Sequence, residues 1–557
     1  MKKIYFALIT LLTFSLPLSA QTQPNDDELK NMIARMIIIG FDDAFIDENS
    51  SIVKDLEQYE LGGVILFDKI YTDRNKTKNI ASPQQLKNLT SALKRHAKKP
   101  LFIGVDQEGG RVARLKSEQG FGVTPSAFEL SKGSFEEAKE AYEAQSFMLH
   151  TAGINMNFAP VVDLAINSQN SVIVGLERSF GVDALRVSSF AKVLMDAQNR
   201  HNIISVLKHF PGHGSSFGDS HKGFVDVSES WKSEELEPYE RLIEAGDVDA
   251  IMSAHVFNKN LDENYPATLS YKTTTELLRN SMGFNGIIIS DDMQMGALAK
   301  HYTLKERVTL AINAGVDMLL FGNQLDDVSL SKLVRTIFRE VKSGAISLER
   351  IIESNERIEN LLTKSSIIQK PIAFGEKRKA LTLEYIKEHY GLTPHDINII
   401  PSMVVLHWTA DMSFEKSFER LYPELLFSDR KDIANASALN VSAHFLVDRE
   451  GTIYQLMPET FMARHTIGLN YSSIGVENIG GENNEKEDLT EAQLKANIAL
   501  VKYLQAKYPT ISHIIGHHEY LSYEKSSLWL ERDALYRTEK KDPGAKFMQD
   551  VRSALDK

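Results

Sequence analysis

The chain contains no cysteine among its 557 residues. That one absence excludes disulfides, thiol nucleophiles, cysteine-ligated zinc, iron–sulfur clusters and lipid attachment through an N-terminal cysteine. Any metal must be held by histidine and carboxylate, and any nucleophile must be an oxygen. Positive charge is also short: 63 Lys and Arg against 75 Asp and Glu leave a net charge of −12. A general nucleic-acid binder needs the opposite balance to neutralise phosphates. After the first twenty residues no apolar run is long enough to cross a bilayer. With 43% hydrophobic and 25% charged residues the composition is globular. The length calls for several cores, or for one large α/β barrel with a smaller partner.

The first residues have their own pattern. Met1-Lys2-Lys3 gives a positive start, Ile4 to Leu18 carry no charge, and Ser19-Ala20 precedes the polar Gln21-Thr22-Gln23. This predicts a cleavable secretory signal over residues 1–20, since a retained anchor needs a longer apolar core. The expected protein is exported, periplasmic or secreted, with no stable membrane anchor after cleavage.

From about residue 30 to 365, short apolar runs alternate with amphipathic stretches. The strand candidates are MIIIGF from Met36, GVILF from Gly63, LFIGVDQ from Leu101, NMNFAPVVDL from Asn155, SVLKHF from Ser205, AIMSAH from Ala250, GIIISDD from Gly286 and MLLFG from Met318. Segments such as SPQQLKNLTSALKRHAKK and SFEEAKEAYEAQSFMLHTAG lie between them, with Ser at the start and apolar residues at three- and four-residue spacing. Eight strands alternating with helices predict an α/β fold with an N-terminal (β/α)8 barrel over residues 27–365. Polar residues gather where the strands end: Asp106, Asp163, Lys208-His209, His255, Asp291 and Asn323. In such a barrel that rim holds the active site. Residues 366–382, with Pro, Gly and a basic cluster, read as a linker. After them the pattern becomes that of a mixed α/β domain over 383–557, with a strand at Met403, a hairpin turning at Glu450-Gly451, and a long helix before Pro509.

Residues 208–221 read KHFPGHGSSFGDSH, with five ionisable groups on a Gly-rich loop at the predicted rim. Asp219 and His221 stand two apart, so the carboxylate can fix the imidazole's tautomer and tune its basicity. Together with GVDQEGGRVARL from Gly104 and IISDDMQMGA from Ile288, this loop resembles the bacterial β-N-acetylglucosaminidases of glycoside hydrolase family 3. The resemblance implies that Asp291 is the nucleophile of a retaining mechanism, and His221 the general acid/base with Asp219 as its partner. It also implies that Asp106, Arg114, Arg178, Lys208 and His209 bind the non-reducing GlcNAc, and that the barrel needs no cofactor. A histidine in the proton-transfer role, with an unperturbed pKa of about 6.5, places no second anion beside the nucleophile.

In the second domain His407 ends a strand, His517 lies in IIGHHEY and Asp542 in KKDPG. Two imidazoles and a carboxylate are a zinc set that leaves a fourth position open. VVLHWTA, VSAHFLVDREGTIYQLMP, SIGVENIG, IIGHHEY and KKDPGAKF resemble, in order, the zinc-dependent N-acetylmuramoyl-L-alanine amidases. By that resemblance His407, His517 and Asp542 bind zinc, Glu477 activates the attacking water and Lys540 stabilises the oxyanion. His444 and His465 also match family histidines that line the groove. His518, next to His517, competes for the ligand position. The two resemblances imply one exported, bifunctional hydrolase acting on peptidoglycan or muropeptides, its oligomeric state open. The rival expectation is a hexosaminidase for chitin-derived or glycoprotein GlcNAc whose C-terminal domain only holds cell wall.

Overall fold

A computed structural model describes residues 23–220, 223–246, 248–431 and 433–555. The expected signal segment, residues 1–20, and His221 lie outside the described residues. Each of the eight predicted runs yields one strand: β1 Ile37–Gly40, β2 Gly63–Leu66, β3 Phe102–Val105, β4 Met156–Asn157, β5 Ile204–Phe210, β6 Ala250–Ser253, β7 Ile287–Ser290 and β8 Leu319–Phe321. They pair in parallel in the order β7-β6-β5-β4-β3-β2-β1-β8. A parallel bridge between Ile289 on β7 and Met318, just before β8, closes the ring. Every residue of these strands is buried, one face filling the barrel and the other meeting the helices. The fold is the (β/α)8 barrel that the alternation predicts.

The helices start where their capping residues stand. Ser82 caps Pro83–His96, with proline at the first helical position, and Ser134 with Glu137 forms a capping box on Phe135–Thr151. The helix Leu348–Ser366 seals the barrel through one anion. Asp317, just ahead of β8, is fully buried and pairs with Arg279, with Arg350 at 2.7 Å and with Arg357 at 3.1 Å.

The second domain has a six-stranded mixed sheet. Its strands are β9 Ile368–Gln369, β10 Met403–Trp408, β11 Phe445–Val447, β12 Ile453–Gln455, β13 Ser473–Asn478 and β14 His513–Gly516, in the order β9-β12-β11-β13-β10-β14. Only the hairpin β11/β12 is antiparallel, turning through Gly451 at φ 86°. Helices Glu491–Lys507 and Ala545–Leu555 pack on one face of the sheet.

Residues 366–382 have a linker's composition but not a linker's freedom. Ile368 and Gln369 join the sheet edge beside Tyr454 and Gln455, and a helix, Glu376–Tyr385, begins within the segment. The basic cluster that suggested solvent exposure includes Arg378, which is 1% exposed and donates to the carbonyls of Ala373, Leu421 and Tyr422 at 2.8, 3.2 and 3.2 Å. Those carbonyls replace the water that a guanidinium otherwise needs. Among the described residues no helix is long and apolar enough to cross a membrane.

Candidate functional sites

The barrel's C-terminal mouth opens on a cavity of about 590 Å³, lined by Asp106, Arg114, Arg178, Lys208, His209, Asp219 and Asp291 among others. Seven of the eight residues expected here therefore share one cavity; the eighth, His221, follows Ser220, which also lines the wall. Asp106 follows β3, Lys208 and His209 lie on β5, and Asp291 follows β7, so strand ends place most of the set. Asp291 Oδ1 accepts the N–H of Asp292 at 2.8 Å, and Asp292 in turn accepts from Gln294 N at 2.9 Å. The second aspartate thus shapes the turn that presents the first.

The cations are held by two carboxylates, Asp106 and Glu108. Lys208 Nζ lies 2.8 Å from Asp106 and 2.7 Å from Glu108. Arg178 makes a two-pronged contact with Glu108, both bonds at 2.7 Å, and Arg114 reaches Asp106 at 3.4 Å. Burial would raise both carboxyls, but Lys208 and Arg114 hold Asp106 below its ordinary value, and Arg178 and Lys208 draw Glu108 down to about 2. His209 Nδ1 donates to Asp163 Oδ2 at 2.7 Å, leaving Nε2 to accept from Arg178 at 3.2 Å. Asp163 also receives the backbone N–H of His213 at 2.8 Å, fixing the start of the loop that carries Asp219. The same loop needs glycine at 214, where a Cβ would collide with the carbonyl of Leu164. Sequence reasoning passed over Glu108, although it is the second acid of the DQE motif; Asp163 it placed on the rim without a role.

The second site lies at the C-terminal ends of β10 and its neighbours β13 and β14. His407 is the fifth residue of β10, His517 follows β14, and Asp542 precedes the last helix. Their ligand atoms converge: His407 Nδ1 to His517 Nδ1 is 2.9 Å, and Asp542 Oδ2 lies 3.2 and 3.0 Å from the two rings. All three residues are buried. A small tetrahedral cation bonded at about 2.0–2.1 Å holds neighbouring ligand atoms about 3.3 Å apart, so the donor set fits a metal in both chemistry and spacing. His518 is excluded by direction, since its Nδ1 faces the backbone carbonyl of Asp542 at 2.9 Å.

Behind this cluster, His407 Nε2 meets His465 Nδ1 at 3.1 Å, where an outer-shell partner would orient the ring if a metal were bound. His444 is fastened at both nitrogens, accepting from Gly475 N at 2.9 Å and donating to Phe461 O at 2.8 Å. Burial lowers His444 to about 4, which keeps it a neutral strut. Glu477 sits beside His407 in the register of β10 and β13. Its Oε2 is buried without a hydrogen-bond partner, and burial together with the charge of Asp542 pushes the carboxyl up to about 7. Glu477, Lys540 and the three convergent residues line one cavity of about 710 Å³.

Residues 26–361 match the glycosyl hydrolase family 3 N terminal domain, and residues 398–545 match the N-acetylmuramoyl-L-alanine amidase domain. A β-hexosaminidase of Tolumonas auensis is 40% identical over 269 residues, covering 47% of this chain and 76% of that protein. One from Haemophilus influenzae is 33% identical over 329 residues, covering 55% and 89%. Among solved structures, a family 3 β-N-acetylglucosaminidase from Paenibacillus shares the fold at TM-score 0.55 and 24% identity, over 88% of this chain and 84% of that one. A family 3 glycosyl hydrolase from Mycobacterium smegmatis aligns at TM-score 0.51 and 27% identity, over 61% and 97%. The chain belongs to glycosyl hydrolase family 3, an enzyme whose barrel is followed by an N-acetylmuramoyl-L-alanine amidase domain.

Proposed function

We propose that the protein is an exported, bifunctional peptidoglycan hydrolase, with residues 27–365 releasing GlcNAc and residues 383–557 cutting the MurNAc–L-Ala amide. The observation that carries the reading is the separation of two chemistries: a carboxylate-and-cation cavity in the barrel, and a buried His/His/Asp cluster with an adjacent carboxyl in the second domain. In the barrel, Asp291 attacks the anomeric carbon and forms a glycosyl–enzyme ester while His221, partnered by Asp219, protonates the departing oxygen. His221 then takes a proton from water as that water displaces Asp291. Lys208, Arg114 and Arg178 are each paired with Asp106 or Glu108, so these cations are offset and suit the hydroxyls and acetamide of a neutral sugar.

In the second domain His407, His517 and Asp542 are the residues that would hold zinc, which when bound supplies Lewis acidity to the scissile carbonyl. Glu477 accepts the proton of the attacking water and passes it to the departing amine. Lys540 offsets the charge that develops on the carbonyl oxygen. Export rests on residues 1–20: deleting them should leave the protein in the cytoplasm, and an unchanged distribution would overturn that part. Mass spectrometry of products from a defined disaccharide-peptide tests both activities. Asp291→Ala should abolish GlcNAc release alone and Glu477→Ala peptide release alone; a zinc-loaded wild type that frees no peptide would reduce the second domain to a binding module.

A further inference from the structure

The mouth of the barrel cavity carries cations of a different kind from those in its depths. Lys208, Arg114 and Arg178 each have a carboxylate partner. Arg74 and Arg111, which line the same cavity and are exposed, have no carboxylate partner among the described residues. Arg111 donates only to the carbonyl of Gly175 at 3.2 Å, and Arg74 lies 5.1 Å from the centroid of the Tyr71 ring. Two uncompensated guanidinium groups at one opening stand out in a chain of net charge −12.

The segment that presents Arg74 is fixed in place. It is a two-stranded hairpin, Lys69–Ile70 with Asp73–Thr77, projecting after β2. Gln324, beyond β8, clasps it from across the rim: Tyr71 N donates to Gln324 Oε1 at 2.8 Å, and Gln324 Nε2 donates to Lys69 O at 3.1 Å. At its base the buried Lys78 donates to Asn323 O at 2.5 Å and pairs with Asp42 at 2.9 Å. Held this way, the backbone that presents Arg74 loses little freedom when an anion docks.

We propose that Arg74 and Arg111 form a leaving-group subsite for a carboxylate carried by the sugar beyond the scissile bond. The inference rests on the glucosaminidase reading of the barrel. The inner cations are each paired with a carboxylate and suit a neutral sugar; Arg74 and Arg111 have no such partner among the described residues, and guanidinium pairs with carboxylate in a two-pronged geometry. That carboxylate has two sources, the lactyl group once its amide is cut or the stem peptide while it remains attached.

The experiment uses the full-length protein with chelator present, so that stem peptides stay attached, and three substrates. These are GlcNAc–GlcNAc, GlcNAc–MurNAc with its lactyl group free, and GlcNAc–MurNAc-peptide. For R74Q and R111Q the kcat/KM ratio of anionic to neutral substrate should fall about fivefold each, the worth of a partly exposed ion pair. The wild-type preference should also shrink as salt is raised. The anionic substrate that loses more identifies the source. A ratio unmoved in both variants, at unchanged melting temperature, overturns the subsite while leaving the glucosaminidase reading intact. Absence of GlcNAc release from all three substrates by the wild type overturns both.

Discussion

Glu235 offers a quantitative test of how the loop that carries Asp219 is anchored. Its side chain is 1% exposed, and Oε2 accepts the backbone N–H groups of Gly214 and Ser215 at 3.0 and 3.3 Å. Oε1 is buried with no hydrogen-bond partner. Burial outweighs the bonds from Ser215, and the charge of Asp163 adds to it, so the carboxyl is pushed from 4.5 up to about 7. A carboxyl raised in the folded state keeps its proton while the unfolded chain loses it. Stability therefore falls as pH rises from 4.5 to about 7 and stays reduced above that. With 1.36 kcal/mol per pH unit, the cost of the carboxyl is about 1 kcal/mol at pH 5 and about 3 kcal/mol at pH 8. Glu235→Gln keeps an oxygen for the two N–H groups and cannot ionise. Whatever constant cost its amide adds, the variant should gain about 2–3 kcal/mol on the wild type between pH 5 and pH 8. For a barrel of this size, that gain is a relative rise of about 3–4 °C in melting temperature. Differential scanning calorimetry of the full chain reads it, with the second domain's transition as the internal control. A gap between variant and wild type that is equal at both pH values, or that moves against the glutamine at pH 8, would refute the reasoning. Glu235 would then be an ionised anchor whose hydrogen bonds outweigh its burial.

Other perturbations probe the remaining charges. Asp317→Asn leaves three arginines around a neutral buried side chain, and denaturant unfolding should show a loss of about 3–5 kcal/mol; a loss under 1 kcal/mol would mean that water reaches the cluster. Glu108→Gln removes the partner shared by Arg178 and Lys208, so the KM for GlcNAc release should rise about tenfold with a smaller change in kcat. Equal losses in both constants would instead tie the pair to the transition state. Chelation should stop peptide release, spare GlcNAc release and lower the melting temperature of the second domain alone, with zinc restoring all three. Loss of GlcNAc release on chelation would contradict a metal-free barrel.

The sequence made the barrel readable because each strand is buried on both faces and so appears as a short apolar run ended by a polar residue. The site's charges were half readable for the same reason. Asp106, Lys208 and Asp291 stand at run ends, but Glu108 meets Arg178 across 70 residues of chain, and no local pattern announces such a pairing. The segment 366–382 was legible only as composition: its Pro, Gly and basic residues do not show that backbone carbonyls surround Arg378. In the second domain the order of strands explains both what was visible and what was hidden. His407 and His517 are 110 residues apart, yet β10 lies directly beside β14 and brings their Nδ1 atoms to 2.9 Å from one another. Glu477 comes into register with His407 from the other side of β10. A motif can name these residues one by one. Only the pairing of β10 with both neighbours makes them a site, which is why the choice between His517 and His518 needed the direction of a ring and not its place in the sequence.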